Sequence, residues 1–326
     1  MRAVKCEAFG DPNTLTVGEM DLPKPGAGEV LVEVKAAAVS FMDRLMVEGK
    51  YQLKPPLPFS PGTDTAGVVS AVGEGVTTVA PGDRVVATAW FGGYAQYLRT
   101  RQDRVLPLPE GVSFAAASTT PYAYMTAMHA LADRAALKKG ETLLVTGAAG
   151  GAGLAAVDVG RHMGARIFAV ARGEAKAAAL KARGVEEVID PERQDLRETI
   201  KGLTDGAGVD VCYEGVGGDM FLTIARLMAF GGRLMPIGFA GGTIPALPMN
   251  LPLLKGYSVV GVFMGAWRDK YPSDARAQLA NILDLTASGA LQPEVADILP
   301  LSQAAVAFQR VADRQVVGRI VLDPWL

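Results

Sequence analysis

The stretch Glu141–Arg161, ETLLVTGAAGGAGLAAVDVGR, decides the fold. The apolar run TLLVT predicts a β-strand, and apolar residues at helical spacing predict a helix that starts at Gly151. Between them, Ala148, Gly150 and Gly153 occupy the three slots of a GxGxxG pattern. Glycine in the second slot lets the backbone approach a pyrophosphate, and glycine in the third lets strand and helix pack closely. We therefore predict a dinucleotide site here; the alternative is that these glycines serve only a tight turn.

Strands and helices alternate after this turn. Expected strands are Arg166–Ala171, 187–190, Val209–Glu214, Gly232–Gly238 and Tyr257–Phe263, and expected helices are Glu174–Arg183, Glu192–Leu203 and Gly218–Ala229. Such alternation favours parallel strands joined by right-handed crossovers. The sequence therefore predicts an α/β fold with a doubly wound parallel sheet.

A strand-rich region of about 120 residues, punctuated by Gly, Pro and Asp turns, precedes the dinucleotide unit. After that unit come two helical patterns, 276–288 and 303–313, and a final strand, GRIVLDP. We expect a β-rich catalytic domain at 1–122, a dinucleotide-binding domain at 123–265 and a segment at 266–326 that returns to the catalytic domain. Because ligand sites favour domain interfaces, we expect the active-site cleft between the two domains.

Composition narrows the class of partner. The 32 basic and 34 acidic residues give a net charge of -2, which argues against nucleic acid and anionic membrane surfaces. The N-terminal MRAVKCEAFG lacks an apolar signal core, and four prolines interrupt the longest uncharged tract, 234–254. We predict a cytoplasmic protein that acts on a small molecule.

The sequence offers few metal ligands. Its two cysteines, Cys6 and Cys212, and its two histidines, His129 and His162, stand far apart, and there is no CxxC pair. A structural zinc site needs four sulfur or nitrogen ligands and a catalytic site needs three. We therefore expect buried, reduced thiols and no metal site.

Several motifs carry a family resemblance over essentially the whole chain. They are KYQLKPPLPFSPGTDTAGVVSAVG (50–73), PGDRV (81–85), TAMHAL (126–131), GETLLVTGAAGGAG (140–153), VGG (216–218) and VGRIVL (317–322). With them the chain resembles the zinc-free, zeta-crystallin-like quinone oxidoreductases of the medium-chain dehydrogenase/reductase family, although the family signature has glutamine where this chain has Asp158. The resemblance implies a GroES-like catalytic domain, a Rossmann domain and a homodimer that pairs through the strand Tyr257–Phe263.

The resemblance also bears on mechanism. Zinc-dependent relatives place cysteine at the position of Ser40 and histidine at that of Thr63, and hydroxyls are poor zinc ligands. Without a Lewis acid, direct hydride transfer to a quinone or an α,β-unsaturated carbonyl is favoured over alcohol oxidation. Tyr51 and Ser40 are candidates to orient the substrate and donate a proton, with water as the alternative. Asp43 is expected to be structural, bonding to backbone N–H groups.

The end of the second strand of the dinucleotide domain bears on the cofactor. Arg172 stands there, with Lys176 one helical turn later, where positive charge suits the 2′-phosphate of NADPH. Similar reductases use a tyrosine where this chain has Pro191. NADPH is favoured over NADH; the alternative is that both cations are ordinary surface residues, since Glu174 lies between them.

The resemblance implies further cofactor contacts from Tyr51, Thr126, Gly150, Gly151, Ala152, Val216, Gly238, Phe239, Phe263 and Met264. Thr126 is expected beside the nicotinamide. The leading hypothesis is an NADPH-dependent quinone oxidoreductase. Alternatives are an NADPH-dependent reductase of enones or 2-alkenals and a non-catalytic NADPH-binding protein of crystallin-like or RNA-associated type.

Overall fold

The computed structural model describes all 326 residues, which divide into two compact units. The first unit comprises Met1–Tyr122 and Lys270–Leu326, and the second comprises Ala123–Asp269. The boundary at Asp269 falls near the end of the helix Met264–Lys270. None of the helices has the length and apolar character needed to cross a bilayer.

The N-terminal part of the chain, up to Met128, is rich in strands. Its strands are β1 (Arg2–Lys5), β2 (Thr16–Glu19), β3 (Glu29–Ala38), β4 (Asp64–Val72), β5 (Arg84–Thr88), β6 (Tyr97–Arg101) and β7 (Val105–Pro107). Its α-helices are α1 (Phe41–Val47), α2 (Phe114–Ser118) and α3 (Thr120–Met128).

The second unit contains the alternating elements. After a π-helical segment, His129–Arg134, come the strands β8 (Thr142–Thr146), β9 (Arg166–Val170), β10 (Glu187–Ile189), β11 (Val209–Glu214), β12 (Met228–Pro236) and β13 (Ser258–Val259). The helices are α4 (Gly151–His162), α5 (Glu174–Ala182), α6 (Leu196–Leu203), α7 (Gly218–Ala225), α8 (Asn250–Lys255) and α9 (Met264–Lys270).

The C-terminal segment completes the first unit with α10 (Pro272–Ala287), β14 (Val295–Pro300), α11 (Ala304–Ala312) and β15 (Arg319–Asp323). The large sheet of this unit has the order β14-β15-β3-β4-β5-β7, and β6 also pairs with β3. Val321 pairs with Ala38, so the end of the chain is built into the sheet formed by its beginning. Inward-facing residues of these strands form one apolar core with Phe308 of α11.

The sheet of the second unit has the order β10-β9-β8-β11-β12-β13, and every pair is parallel. The central residues of β8, Leu143, Leu144 and Val145, are fully buried, as expected for a strand covered on both faces. The strand order reverses between β8 and β11, and ligands of doubly wound sheets bind at that point, beyond the carboxyl ends of the strands. The predicted α/β fold with a doubly wound parallel sheet is confirmed.

Two predicted helices are shorter than expected. The helix expected over Glu192–Leu203 begins at Leu196, because the Asp195 side chain accepts hydrogen bonds from the first N–H groups of α6. The helix expected over Gly218–Ala229 ends at Ala225. Met228 beyond it is already in β12, where it pairs with Val209 and is buried.

The last strand of the second unit is also shorter than predicted. The sequence predicts a strand over Tyr257–Phe263, but only Ser258 and Val259 pair with β12, followed by one hydrogen bond from Val260 N to Leu234 O. The next backbone group of β12 that faces β13 belongs to Pro236, which has no N–H to donate. The prediction was wrong here because proline on the partner strand ends the ladder.

Candidate active site

The glycine-rich turn between β8 and α4 is shaped by close backbone contacts. Gly147 has a φ of +59°, and a Cβ on Gly153 would lie 2.3 Å from Gly147 O. No side chain other than hydrogen can occupy position 153 while helix and turn remain this close. Gly153 therefore has the packing role that the fingerprint predicts.

Gly150 differs from Gly153 because the fold itself does not require glycine there. A Cβ on Gly150 would meet only Gly147 O at 3.5 Å, an ordinary contact, and its φ is -78°. No side chain caps the N-terminus of the 12-residue helix α4, which leaves its first N–H groups for an anion. By contrast, Asp195 caps α6. The open space at Gly150 and the uncapped helix fit the pyrophosphate of a dinucleotide.

Beside this turn, the carboxyl ends of β8 and β11 are joined through Glu214. Its Oε1 accepts hydrogen bonds from Thr146 Oγ1 at 3.0 Å, Val216 N at 2.9 Å and Gly217 N at 3.0 Å. Burial raises the pKa of the Glu214 carboxyl, and the backbone and Thr146 hydrogen bonds partly oppose that shift. The sequence analysis missed this residue, although a charged side chain at the end of the apolar run VDVCY is a visible signal.

Three of the predicted cofactor residues meet at this end of the sheet. A Cβ on Gly147 would lie 3.6 Å from Val216 Cγ2, and one on Gly217 would lie 3.0 Å from Phe239 Cδ1. Gly238 follows β12, where a Cβ would lie 3.7 Å from Gly215 O. The structure therefore brings Val216, Gly238 and Phe239 to the same end of the sheet as the glycine-rich turn.

The other predicted contacts of the second unit lie in its helices or just before one. Thr126 is buried in α3, one turn before His129. Phe263 is 53% exposed, and Met264, buried, is the first residue of α9. Their roles at the cofactor stay predictions.

The two predicted cations lie at the end of β9. Arg172 is about half exposed, and its Nη1 lies 3.4 Å from Glu192 Oε1. Lys176 lies on the following helix, α5, and is partly buried. Asp190 Oδ2 accepts a hydrogen bond from Gly173 N, which holds the turn after Arg172. Arg172 is therefore available at the surface but has a carboxylate neighbour that a 2′-phosphate would have to displace.

In the first unit, Ser40 lies in a buried polar group at the start of α1. The Ser40 and Asp43 side chains form a reciprocal capping box, in which Ser40 Oγ donates to Asp43 Oδ2 at 2.6 Å. Tyr94 OH donates to the same oxygen at 2.8 Å. Asp43 also accepts a hydrogen bond from the Ser40 backbone N–H at 3.0 Å, the kind of contact that the sequence leads us to expect for it.

A buried ion pair lies in the same unit. Arg319 Nη1 lies 2.8 Å from Asp64 Oδ2, and the guanidinium also donates to the carbonyls of Ala38, Val39 and Thr119. Arg319 had no role in the sequence analysis, although a single charge in the apolar strand GRIVL is a signal that it must be paired.

Tyr51 is partly buried against the core of the first unit. The pKa of Tyr122 is raised by burial first and then by the phenol of Tyr51 and the carboxyls of Asp64 and Asp43. Tyr51 and Ser40 thus belong to the surroundings of one buried polar region.

The positions that hold zinc ligands in zinc-dependent relatives carry hydroxyls in this chain, at Ser40 and Thr63. No group of three or more His, Cys, Asp or Glu side chains in the chain is placed to hold a metal ion. Thr63 Oγ1 is buried without a hydrogen-bond partner. Cys6 and Cys212 are free and buried, as predicted.

At the position where the family signature has glutamine, Asp158 forms a buried ion pair. Its Oδ2 lies 3.2 Å from Arg183 Nη1 and accepts a hydrogen bond from Tyr124 OH at 2.7 Å. This departure from the signature is therefore compensated within the second unit, by a cation and a phenol.

The doubly wound unit with its dinucleotide turn and the β-rich unit with its buried polar group define an oxidoreductase that works with a nicotinamide dinucleotide. Residues 26–110 match the alcohol dehydrogenase GroES-like domain, and residues 151–281 match the family described as zinc-binding dehydrogenase. The chain therefore belongs to the medium-chain dehydrogenase/reductase family.

Individual relatives agree with this assignment. Quinone oxidoreductase-like protein 2 of Rattus norvegicus is 36% identical over 99% of this chain and 92% of its own length. Quinone oxidoreductase of Sus scrofa is 31% identical over 99% of this chain and 97% of its own length. The structure of Escherichia coli quinone oxidoreductase complexed with NADPH superposes with a TM-score of 0.90, at 28% identity, covering 99% of this chain and 100% of that chain.

Proposed function

We propose that this protein is an NADPH-dependent reductase that transfers a hydride to a quinone without a metal ion. The observation that carries the proposal is the cradle at Gly150, which the fold leaves open although it does not itself require glycine. Relatives named quinone oxidoreductase and the NADPH complex of the Escherichia coli protein support the acceptor and the cofactor.

The residues of the second unit would hold the cofactor. The backbone N–H groups of Gly151 and Ala152 would donate to the pyrophosphate, while Gly150, whose own N–H donates to Gly147 O, would leave the space beside it. Arg172 and Lys176 would bind the 2′-phosphate. The nicotinamide half would be held by Thr126, Val216, Gly238, Phe239, Phe263 and Met264. When bound, NADPH supplies the hydride.

Ser40 and Tyr51 of the first unit orient the acceptor. As a quinone takes a hydride, one of its oxygens gains negative charge and needs a hydrogen-bond donor. The Ser40 hydroxyl is held within 2.6 Å of Asp43 Oδ2, which fixes the rotamer of the serine. A side chain already held in place loses little entropy when it meets the growing oxyanion.

The test is a steady-state assay of NADPH and NADH with quinones and 2-alkenals. We expect turnover of quinones, and a kcat/KM for NADPH at least about tenfold above that for NADH, equal to ~1.4 kcal/mol. If 2-alkenals are reduced and quinones are not, the substrate class is the 2-alkenals and the quinone proposal is wrong. NADPH binding, seen as a fluorescence change, with no turnover of any acceptor would favour a non-catalytic protein.

We also propose that the protein forms a homodimer through the edge of its parallel sheet. The terminal strand β13 has an unpaired edge, and Val259 in it is 42% exposed. An open edge with apolar side chains needs covering. Light scattering on the purified protein should give twice the mass of 34.1 kDa, and a monomer mass would contradict the proposal.

A further inference from the structure

The carboxyl group of Asp43 has an uneven set of partners. Its Oδ2 receives three donors, namely Ser40 N, Ser40 Oγ and Tyr94 OH, at 3.0, 2.6 and 2.8 Å. Its Oδ1 is buried and has no hydrogen-bond partner. A buried ionised carboxylate distributes its charge over both oxygens, so an orphaned oxygen disfavours the charged form.

The charges around Asp43 point the same way. Arg319, a cation whose charge lowers the pKa of Asp43, is bound to Asp64 and to three backbone carbonyls. Burial raises the pKa of Asp43 to about 6; Ser40 and Tyr94 lower it, Asp64 raises it and Arg319 lowers it. Tyr122, itself beside Tyr51, is a further titratable group near this cluster, and burial raises its pKa, so that it stays neutral. A proton can therefore be held or released at Asp43 near neutral pH.

Ser40 connects this carboxyl to the outside of the cluster. Asp43 and Tyr94 have no exposed surface, whereas Ser40 is 7% exposed. Ser40 Oγ already accepts the Asp43 backbone N–H at 3.1 Å. Because a hydroxyl oxygen has two lone pairs and one proton, it can also accept from a protonated Asp43 and still donate outward.

We propose that Asp43 supplies the proton of the reduction, through the Ser40 hydroxyl. In this step the acceptor takes a hydride and becomes an anion, which then takes the Ser40 Oγ proton. The O–H bond at Asp43 Oδ2 breaks as Ser40 Oγ takes its proton, and solvent later reprotonates Asp43. One hydride and one proton convert quinone to hydroquinone, so the step balances. This inference rests on the proposed function.

Tyr94 is a less suitable source of that proton. Burial first and the Asp43 carboxyl second raise its pKa well above the usual value, and its hydroxyl donates to Asp43 rather than outward. In this proton relay, from Asp43 through Ser40 to the acceptor, Tyr94 holds Asp43 Oδ2 opposite Ser40 Oγ.

The test is the pH dependence of the single-turnover rate of NADPH oxidation with a quinone. Since the protonated form of Asp43 is the active form, the rate should be constant below about pH 6 and fall about tenfold per pH unit above it. Asp43→Asn keeps the shape of the side chain but carries no acidic proton. We expect it to remove the pH-dependent fall and to lower the rate at about pH 5 by about 10²- to 10⁴-fold, a usual contribution of acid catalysis.

Two sets of variants separate proton supply from folding. Ser40→Thr keeps the hydroxyl and should keep the fall with pH, whereas Ser40→Ala should lose it. Asp195→Asn is the matched control, because Asp195 also caps a helix with its carboxylate, at α6, but lies outside the buried polar group. We expect this variant to keep both the rate and its pH dependence.

An infrared titration gives a readout that does not depend on turnover. The carbonyl band of a protonated carboxylic acid should disappear as the pH rises through about 6 in the wild type, and this band should be absent from Asp43→Asn. Two results would overturn the proton transfer from Asp43 through Ser40 but not the proposed function. One is a single-turnover rate that still falls with pH in Asp43→Asn, and the other is an Asp43 carboxyl that is ionised at all pH values tested. Failure of the wild type to reduce any acceptor would overturn the proposed function and the relay with it.

Discussion

The two units of this protein build their polar sites in opposite ways. The glycine-rich turn of the second unit exposes backbone N–H groups; the side chain absent at Gly150 leaves open space, and the one absent at Gly153 lets helix and turn pack closely. The buried group of the first unit consists of side chains that are far apart in sequence, such as Asp64 and Arg319. One site depends on side chains being absent and the other on side chains being paired.

This difference determines what each site tolerates. A site made of backbone loses ligand affinity when a side chain intrudes, but its fold suffers only where that side chain meets protein atoms. A site made of buried charges loses stability when one partner is removed, because the other charge is left without compensation. Variants that change NADPH affinity and the free energy of unfolding separately therefore test this contrast between the two sites.

The largest effect is expected from Arg319→Met. Removing the guanidinium takes the bound cation away from the buried Asp64 carboxylate, which should lower the free energy of unfolding by ~3–5 kcal/mol. Arg310→Met is the matched control, since Arg310 pairs with Asp297 at the same 2.8 Å but both side chains are partly exposed. That variant should cost ~1 kcal/mol or less. Urea unfolding followed by circular dichroism measures both, and equal losses would contradict the comparison.

Gly150→Ala should separate affinity from stability in the second unit. The added methyl group meets no protein atom closer than 3.5 Å, so stability should change by ~1 kcal/mol or less. The Kd for NADPH should rise at least about tenfold, equal to ~1.4 kcal/mol, because the methyl group occupies the space for the pyrophosphate. Fluorescence titration measures the Kd, and thermal unfolding measures the stability.

Gly202→Ala is the control for that substitution. Gly202 lies inside α6, where an added Cβ meets nothing within 4 Å. Replacing glycine by alanine in this last turn of α6 should stabilise the protein by at most about 0.5–1 kcal/mol and leave the NADPH Kd unchanged. If Gly150→Ala binds NADPH as tightly as Gly202→Ala does, the space at Gly150 is not the pyrophosphate site.

The same contrast explains what the sequence could predict. The strand β8 and the start of α4 were predicted to the residue, because the turn is contiguous and each glycine has a local geometric reason. The hydrogen bonds of Tyr94 and Arg319 connect residues 51 and 255 positions apart, and no local pattern predicts such partners. Family resemblance indicated Ser40, but only the structure shows that its partner Asp43 also binds Tyr94.

The short strand β13 is a different kind of failure. The run YSVVGVF is apolar and β-branched, which is typical of a strand, and its one weak point, Gly261, lies beyond the residue where pairing ends. The stop comes from Pro236 on the neighbouring strand. The length of a strand depends on the backbone N–H donors of the strand beside it, and the hydrophobic pattern of one strand carries no information about them.

Glu214 sharpens the comparison because it is a buried carboxyl within the backbone-built site. Glu214→Leu orphans the donors of Thr146, Val216 and Gly217 and should lower the free energy of unfolding by ~1–3 kcal/mol. Glu214→Gln keeps an acceptor oxygen at the Oε1 position and should cost less. Chemical unfolding of both variants tests this order, and equal losses would show that the acceptor is not what matters.

The pH dependence of stability gives a second readout for Glu214. Its folded-state pKa is raised by burial, so the folded state prefers the neutral acid. The corresponding stability is fully present below the unfolded pKa and is lost as the pH rises through the folded pKa. Glu214→Gln should lack this particular loss. If wild type and variant lose stability in parallel over that pH range, the raised pKa of Glu214 does not contribute.

The smallest effect is expected at the surface, from Glu192→Gln. Glu192 lies 3.4 Å from Arg172, and both side chains are about half exposed or more, so their mutual attraction is worth ~1 kcal/mol or less. Without the carboxylate, Arg172 should bind the 2′-phosphate more tightly, lowering the NADPH Kd by no more than about fivefold and leaving the NADH Kd unchanged.

Arg172→Ala should act in the opposite direction, raising the NADPH Kd by about tenfold with no change for NADH. Glu198→Gln is the control, because Glu198 forms an exposed pair with Lys201 on α6 and should leave both constants unchanged. Fluorescence titrations at low and high salt measure all three variants, and the differences should shrink as salt rises. If Glu192→Gln and Arg172→Ala shift NADPH and NADH equally, these side chains act on the turn rather than on the 2′-phosphate, and the preference for NADPH must come from elsewhere in the second unit.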